Sequence, residues 1–279
     1  MTQTLTLRIG HSPDPDDAFM FYALAKEAEG IDGIAVEHVL EDIESLNRRA
    51  LTAELEVTAV SAAAYPELQD TYWIMRTGAS MGRGYGPILV AKTPMDPADL
   101  AGKTVAIPGE KTTANLLLGI LFPGVNRVVV DFDRIPDAVR HGDAEVGLLI
   151  HEGQITYAEE GLHRIADFGE IWEKETDGLP LPLGLDLVRK DLGREMAERI
   201  STMLRRSIAH ALANEDDALE YALEYGRGIT REVGRKFVRM YVNEDTLDMG
   251  DPGVAALRHL YRRAMDAGLL DRMPEIDLV

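Results

Sequence analysis

The sequence contains no cysteine, which excludes disulfide bonds, thiolate nucleophiles and cysteine-ligated metal centres. It also has no apolar run that approaches the roughly 20 residues of a membrane-spanning helix. Residues 1–10 have neither a basic start nor a long apolar stretch. We therefore expect no export signal, no membrane association and a cytoplasmic protein.

Positive charge is also scarce, with 29 Lys and Arg against 48 Asp and Glu and a formal net charge of −19. Such a surface repels the phosphate backbone of nucleic acids and anionic lipid, so neither is expected as a partner. A small molecule is the remaining class of ligand, and an acidic one must be held locally by backbone N–H groups. The oligomeric state, monomer or homodimer, stays open.

Short apolar runs alternate with helical patterns through the first two thirds of the chain. This rhythm predicts an α/β fold with mostly parallel sheets. The predicted strands are Leu5–Ile9, Ile34–Leu40, Glu56–Val60, Ile88–Ala91, Thr104–Ile107, Arg127–Val130 and Val146–Ile150. The predicted helices are Asp16–Ala28, Ile43–Ala50, Ala62–Leu68, Thr113–Leu121, Ile135–Gly142, Arg194–Glu224, Thr230–Tyr241 and Pro252–Ala267.

Two extended segments rich in Gly or Pro, at 78–87 and 179–190, bracket the middle third of the chain. They predict two crossovers, with residues 1–90 and 190–279 in one lobe and 91–189 in a second. Proteins of this kind bind ligands in the cleft between the lobes and close by hinge motion. The alternative is one continuous doubly wound sheet.

Polar residues follow several of the predicted strands directly. Ser61, Thr112 and Thr113 stand before helices, where hydroxyls and free helix N–H groups form a local anion site. Taken singly, each of these residues is better explained by ordinary N-capping. In open α/β sheets the ligand lies at the carboxyl ends of the strands. Because several of these hydroxyl residues occur at such ends, a binding role is favoured for some of them.

Histidine 151 is the strongest candidate for chemistry. His151 directly follows the apolar strand that ends at Ile150, and an imidazole beside a cleft can accept a proton near neutral pH. A purely structural histidine is the alternative, and His11 is a second candidate. The aspartates of the first loop, Asp14, Asp16 and Asp17, suit a helix start or a cleft wall. Three aspartates within four residues also suggest a divalent metal, but EF-hand loops use a different spacing, so we expect no metal.

At these residues the chain resembles the 1,4-dihydroxy-6-naphthoate synthase family of menaquinone biosynthesis. The similar motifs span nearly the whole chain: residues 11–17 (HSPDPDD) before 19–24 (FMFYAL), 107–109 (IPG) with 112–114 (TTA), 149–153 (LIHEG), 181–184 (LPLG) and 241–243 (YVN). The combination of the His-Glu-Gly and Thr-Thr-Ala motifs is fairly specific.

The resemblance implies a fold like that of type II periplasmic binding proteins, used for catalysis in the cytoplasm. It implies a lyase that needs no cofactor and splits cyclic dehypoxanthine futalosine to 1,4-dihydroxy-6-naphthoate and a sugar-derived fragment. The family's general base maps to His151. Its substrate-binding segments map to Ala59, Val60 and Ser61 and to Thr112, Thr113 and Ala114, and we expect Ser12 of the first motif to contact substrate as well.

One departure concerns the first loop, which in the family usually reads Ser-Pro-Cys-Pro-Asn-Asp. Here Asp14 and Asp16 stand at the Cys and Asn positions, which puts the exact substrate in doubt because both can carry negative charge. Two other functions stay open: a chorismate dehydratase-like enzyme of the same pathway and a non-catalytic small-molecule solute-binding protein. The His-Glu-Gly motif argues against the former, and the expected lack of an export signal against the latter.

Overall fold

The computed structural model describes residues 5–26 and 29–279, which form two lobes, each built on its own β-sheet. The strands are β1 (Leu5–His11), β2 (Ile34–Leu40), β3 (Val57–Ser61), β4 (Tyr72–Ile74), β5 (Ser80–Gly82), β6 (Ile88–Ala91), β7 (Thr104–Ile107), β8 (Asn126–Val129), β9 (Val146–Leu149), β10 (His163–Asp167) and β11 (Leu181–Arg189).

The helices include several of only one turn. They are α1 (Pro15–Met20), α2 (Tyr22–Ala25), α3 (Ile43–Leu51), α4 (Tyr65–Leu68), α5 (Thr113–Leu121), α6 (Ile135–His141), α7 (Gly153–Thr156), α8 (Phe168–Thr176), α9 (Arg194–Ala213), α10 (Glu215–Leu223), α11 (Arg231–Tyr241), α12 (Glu244–Leu247) and α13 (Gly250–Asp266). Short 3₁₀ turns lie at Pro97–Leu100, Phe132–Arg134 and Lys190–Leu192. No helix within the described ranges has the length and apolar character needed to cross a membrane.

Both sheets are mixed, which corrects the expectation of mostly parallel sheets. The first sheet has the order β2-β1-β3-β11-β4, with β5 also paired to β11, and the second has the order β10-β6-β9-β7-β8. Pairing is parallel among β1, β2 and β3 and among β7, β8 and β9. The chain enters the second lobe on β6 and re-enters the first on β11, and both strands run antiparallel to their neighbours.

The same two strands correct the predicted lobe boundaries. Strand β6 pairs within the second sheet and β11 within the first, so residues 88–90 and 181–189 belong to the opposite lobes from those expected. The Pro and Gly residues of this segment led to the wrong boundary, because Pro182 lies within a strand, at an irregularity in the register between β11 and β5. A proline is tolerated at such a position without ending the strand.

Several helices also differ from the predicted bounds. The predicted helix at 16–28 is two short helices, α1 and α2, and its end at 27–28 lies outside the described residues. The predicted helix at 194–224 is interrupted at Asn214, whose backbone is not helical. Strand β10 and helix α8 were not predicted. Asp167 caps α8 by accepting hydrogen bonds from the N–H groups of Gly169 and Glu170.

The largest hydrophobic core draws on both lobes and on the C-terminal helix. It contains residues of β3, β7, β9 and β11 together with α13, whose Tyr261 is fully buried. The Tyr261 hydroxyl donates to the carbonyl of Ala62, one residue beyond β3. This packing fixes the carboxyl end of β3, at which the site described below is built.

Strand β11 provides a test of this core. Leu187 is fully buried and lies between Thr58 of β3 and Ile74 of β4. We expect Leu187→Ala to lower the free energy of unfolding by about 2–5 kcal/mol, because it leaves a cavity in a packed core. Chemical denaturation followed by circular dichroism measures this. Leu212→Ala on α9, where the side chain is 36% exposed, is the control and should stay within about 0.5 kcal/mol of the parent. Equal effects of the two substitutions would contradict this view of the core.

Candidate functional site

A cavity lies between the lobes, at the carboxyl ends of β1, β3, β7 and β9. Its volume, taken as the space that the centres of water molecules can occupy, is about 100 Å³. All eight residues predicted for the site line it: Ser12, Ala59, Val60, Ser61, Thr112, Thr113, Ala114 and His151. Lining residues that the sequence analysis did not assign to the site include Asp186, Gln154, Tyr241, Gly78 and Ser80.

A histidine–aspartate pair joins the two lobes at this cavity. His151 follows β9 in the second lobe, and its Nδ1 lies 2.9 Å from Oδ2 of Asp14, which follows β1 in the first lobe. Both side chains are largely buried, at 16% and 3% exposure. Since Nδ1 is engaged, Nε2 is the ring nitrogen left for proton transfer, and it has no protein partner among the described residues.

Opposing effects set the protonation of this pair. Burial lowers the pKa of His151, but the charge of Asp14 and its hydrogen bond outweigh burial, and the net pKa of His151 is raised. Burial raises the pKa of Asp14, but His151 and hydrogen bonds from neighbouring groups outweigh that effect, and the net pKa of Asp14 is lowered. Both shifts favour an aspartate bound to an imidazolium over the neutral pair.

The backbone of His151 is in the left-handed region, with φ 53°. A non-glycine residue pays a conformational cost there, and such residues cluster at functional sites. The neighbours of the ring hold it in place. The ring centroid of Phe132 lies 4.9 Å from that of His151. Arg227 of the first lobe stacks on the same Phe132 ring, with its Cζ 4.7 Å from the ring centroid.

Arg227 also joins the two lobes beside this pair. Its Nη1 donates to Oε1 of Glu152 at 2.8 Å, and its Nη2 donates to the carbonyl of Pro13 at 3.2 Å. A second contact between the lobes is made by Glu44, whose Oε2 accepts the N–H of Lys111 at 3.0 Å. A β-carbon at Gly109 would collide with this Glu44 carboxylate, which accounts for the glycine in the predicted Pro-Gly motif.

The end of the cavity at helix α5 is suited to an anion, but not through threonine hydroxyls. Thr112 caps α5 by accepting from Asn115 N–H and donates to the carbonyl of Gly109. The Thr113 hydroxyl accepts from Ala63 N–H and donates to the Leu183 carbonyl. The N–H groups of Thr113 and Ala114 have no acceptor in the part of the chain that the structure describes. The predicted segment thus offers main-chain N–H groups at a helix start.

Ser61 completes this end of the cavity. Its N–H donates to Oδ1 of Asn47 at 2.8 Å, and its hydroxyl accepts from Nδ2 of Asn47 at 3.1 Å. The hydroxyl proton of Ser61 therefore remains available for a ligand. Asn47 lies fully buried on α3 and fixes the orientation of Ser61.

The opposite side of the cavity is lined by further carboxyl groups. Burial, followed by the charge of Asp14, raises the pKa of Asp16 and of Asp17 well above the ordinary range. Burial alone raises the pKa of Asp186 to about 8. Asp17 accepts the N–H of Ser12 at 2.6 Å. Asp14, Asp16 and His151 each offer one ligand atom within 4.8 Å of the others, a spacing compatible with a metal ion. Our expectation of no metal therefore needs a direct test.

His11, the second histidine candidate, is not part of the cavity lining. It is buried, its ring stacks on Phe21 with centroids 4.3 Å apart, and its Nε2 lies 3.0 Å from Nδ1 of His38. Burial lowers the pKa of His11 to about 3. His11 is a neutral packing residue behind the first loop.

The histidine–aspartate pair gives a pH prediction. We expect Asp14→Asn to lower the pKa of His151, because burial remains while the favourable charge is lost; NMR titration of the imidazole measures it. The pair stabilises the fold from the lowered pKa of Asp14 up to the raised pKa of His151, and the stabilisation disappears beyond either limit. The loss of stability in Asp14→Asn should therefore be greatest between about pH 4 and 6.

Asp167→Asn is the matched control, since Asp167 is a buried capping residue outside the cavity lining. It should leave the pKa of His151 unchanged. An unchanged or raised pKa of His151 in Asp14→Asn would contradict the assignment of the pair.

Comparisons with known proteins agree with this description of the chain. The family described as "Menaquinone biosynthesis" matches residues 7–266. A 1,4-dihydroxy-6-naphthoate synthase from Thermus thermophilus is 42% identical over 268 residues, which cover 96% of this chain and 97% of that protein. A crystal structure of a protein from Archaeoglobus fulgidus is 48% identical, with a TM-score of 0.91 and coverage of 95% of this chain and 98% of that one.

A more distant structure shows the fold alone. The periplasmic aliphatic sulphonate binding protein from Escherichia coli superimposes with a TM-score of 0.66 at 11% identity, covering 97% of this chain and 90% of that one. The predicted two-lobed, periplasmic-binding-protein-like fold is thereby confirmed. With a family match over most of its length and a relative at this level of identity, the chain belongs to the menaquinone-biosynthesis family that the resemblance predicted.

Proposed function

We propose that the protein is a cytoplasmic lyase that splits cyclic dehypoxanthine futalosine to 1,4-dihydroxy-6-naphthoate without a cofactor, with His151 as general base. The observation that carries this proposal is the orientation of His151. Asp14 holds Nδ1 at 2.9 Å and leaves Nε2 on a cavity that all eight predicted residues line. An imidazole oriented by a carboxylate is an arrangement suited to proton transfer.

The proposed reaction begins when Nε2 of His151 removes a proton next to a carbonyl group of the substrate. The electron pair of that C–H bond forms a double bond in the ring, and the bond to the sugar-derived fragment breaks. The fragment leaves with the bonding pair and takes up the proton held by His151, and the ring system that remains becomes aromatic. Aromatisation provides the driving force. The negative charge of Asp14 stabilises the imidazolium that forms, because the two groups are buried together at hydrogen-bond distance.

The carboxylate of the substrate is assigned to the helix α5 end of the cavity. The N–H groups of Thr113 and Ala114 and the hydroxyl proton of Ser61 supply donors there, and the helix dipole adds a favourable field. The surface net charge of −19 repels such a ligand at long range. Short-range donors in a buried site are therefore needed to hold it.

The two aspartates that depart from the family loop do not argue against this substrate. In the free protein Asp14 is paired with the His151 ring, and it keeps its hydrogen bond to Nδ1 when the imidazole is neutral, while burial raises the pKa of Asp16. Both effects limit the negative charge that the loop presents to the cavity. The departures therefore change the hydrogen-bonding character of the loop more than its charge.

The test is incubation of the purified protein with cyclic dehypoxanthine futalosine, with 1,4-dihydroxy-6-naphthoate followed by chromatography. We expect turnover by the parent and a loss of about 10²–10⁴-fold in kcat for His151→Ala and His151→Gln. The rate should rise with pH as the raised pKa of His151 is passed, because only the neutral imidazole accepts a proton. Circular dichroism and binding of the product establish that the variants are folded.

His163→Ala is the control, since His163 is exposed at the start of β10 and outside the cavity lining. It should retain parental kcat. A folded parent that forms no product would refute the proposal. Turnover of chorismate instead would indicate the dehydratase alternative, and ligand binding without turnover of either compound would indicate a solute-binding protein.

A further inference from the structure

Two carboxyl oxygens at the cavity have no hydrogen-bond partner among the residues that the structure describes. They are Oδ1 of Asp16 and Oδ2 of Asp186. Both residues line the cavity, and they are only 6% and 1% exposed. Buried polar atoms in folded proteins almost always have a partner, so such exceptions need an explanation. Their position on the wall of a ligand-sized cavity points to polar atoms of a bound molecule.

The fold itself gives Asp186 no role. It stands in β11 between two buried leucines, and its carboxyl group makes no hydrogen bond to any described residue. A β-carbon at Gly78 would collide with Oδ2 of Asp186, and the backbone of Gly78 has φ +84°. A glycine at 78 thus provides both the space and the conformation that the carboxyl group requires.

The strand register places Asp186 away from the anion-binding end. Asp186 is opposite Ala59 in the pairing of β11 with β3, and Gly184 is opposite Ser61. Residues two apart on a strand face the same side and lie about 7 Å from each other. The cavity wall therefore runs from Ser61, with its free hydroxyl proton, to the carboxyl group of Asp186 over roughly the length of a small ring system.

We propose that the carboxyl groups of Asp16 and Asp186 bind hydroxyl groups of the sugar-derived part of the substrate. This inference rests on the proposed function and adds the orientation of the substrate in the cavity. The substrate carboxylate lies at helix α5, the hydroxyl-bearing part lies at the two carboxyl groups, and His151 lies on the same cavity.

The chemistry of these carboxyl groups favours hydroxyls over ions. Burial raises the pKa of Asp186 to about 8, and burial together with the charges of Asp14 and Asp17 raises that of Asp16. A protonated carboxyl group donates one hydrogen bond and accepts another, which matches a hydroxyl group. An ammonium ligand would need ionised partners, and a carboxylate ligand would meet unpaired acceptor oxygens.

The experiment compares Asp186→Leu and Asp16→Ala with the parent for substrate turnover and for affinity to the product 1,4-dihydroxy-6-naphthoate, which lacks the sugar-derived part. We expect KM for the substrate to rise about tenfold, the loss of one or two hydrogen bonds. Affinity for the product, measured by calorimetry, and kcat should change by less than about threefold. Asp186→Asn, which can still donate and accept, should recover most of the substrate affinity.

Two further readouts separate ligand binding from a structural role. KM of the parent should rise as pH passes about 8, and Asp186→Asn should lack this rise. Between pH 3.8 and about 8, Asp186 is ionised in the unfolded state but keeps its proton in the folded state. The free energy of unfolding of the parent therefore falls as the pH rises through this range. Asp186→Leu should therefore raise the melting temperature, and by more at pH 8 than at pH 5.

Asp167→Asn is the control and should leave KM unchanged, since Asp167 does not line the cavity. Unchanged KM in both variants, an equal loss of product affinity, or a lower melting temperature in Asp186→Leu would each overturn the inference. So would stoichiometric binding of Zn²⁺ or Mn²⁺ by the parent that Asp16→Ala abolishes, since the unpaired oxygen would then be a metal ligand. A parent that forms no product overturns the proposed function as well, whereas an active parent with unaffected variants overturns the inference alone.

Discussion

The contact between Asp14 and His151 is the interaction on which the rest of the site depends. Because the two residues belong to different lobes, their hydrogen bond at 2.9 Å exists only while the lobes are together. The same contact sets the tautomer of the imidazole, raises its pKa and cancels the charge of Asp14. Closure of the cleft and formation of this pair are therefore one event, and the Arg227–Glu152 and Glu44–Lys111 contacts stabilise the same arrangement. In the proposed function, closure thus assembles the base only where water has been excluded from the substrate.

Much of this site could be predicted from the sequence, because the carboxyl ends of strands carry it. Ser61, Thr112 and His151 directly follow or lie close behind apolar strands, and a parallel arrangement of those strands brings their ends to one cleft. The pairs β1–β3 and β7–β9 are indeed parallel, so the argument held although the sheets as wholes are mixed. The chemical role of the threonines was less predictable. Their hydroxyls are used within the protein, a fact that depends on the Leu183 and Gly109 carbonyls and therefore on tertiary structure.

The lobe boundaries and Asp186 were missed for one common physical reason. Residues 181–189 are rich in Pro, Gly and Leu, which is typical both of a linker and of a strand buried on two faces. Because these residues were assigned to a linker, the single acidic residue flanked by leucines, Asp186, was not recognised as unusual. In a buried strand an acid at that position is costly, since an unpaired carboxyl group loses its hydration on folding. The strand assignment and the unusual position of Asp186 thus become visible together, once β11 is known to pair with β3.

The carboxyl groups of the cavity differ in pKa because His151 is the one cationic partner among the described residues that contacts them. His151 lowers the pKa of Asp14, whereas burial, followed by the charge of Asp14, raises the pKa of Asp16 and of Asp17. These opposite shifts limit the net charge of a cavity that several aspartates line. In the proposed function, Asp14 orients the base, while the carboxyl groups with raised pKa act as hydrogen-bonding groups. The proposal that a chain with a net charge of −19 encloses an anionic ligand is consistent with these shifts, because Asp14 is paired, the pKa of Asp16 and of Asp17 is raised, and main-chain N–H donors lie at the helix α5 end.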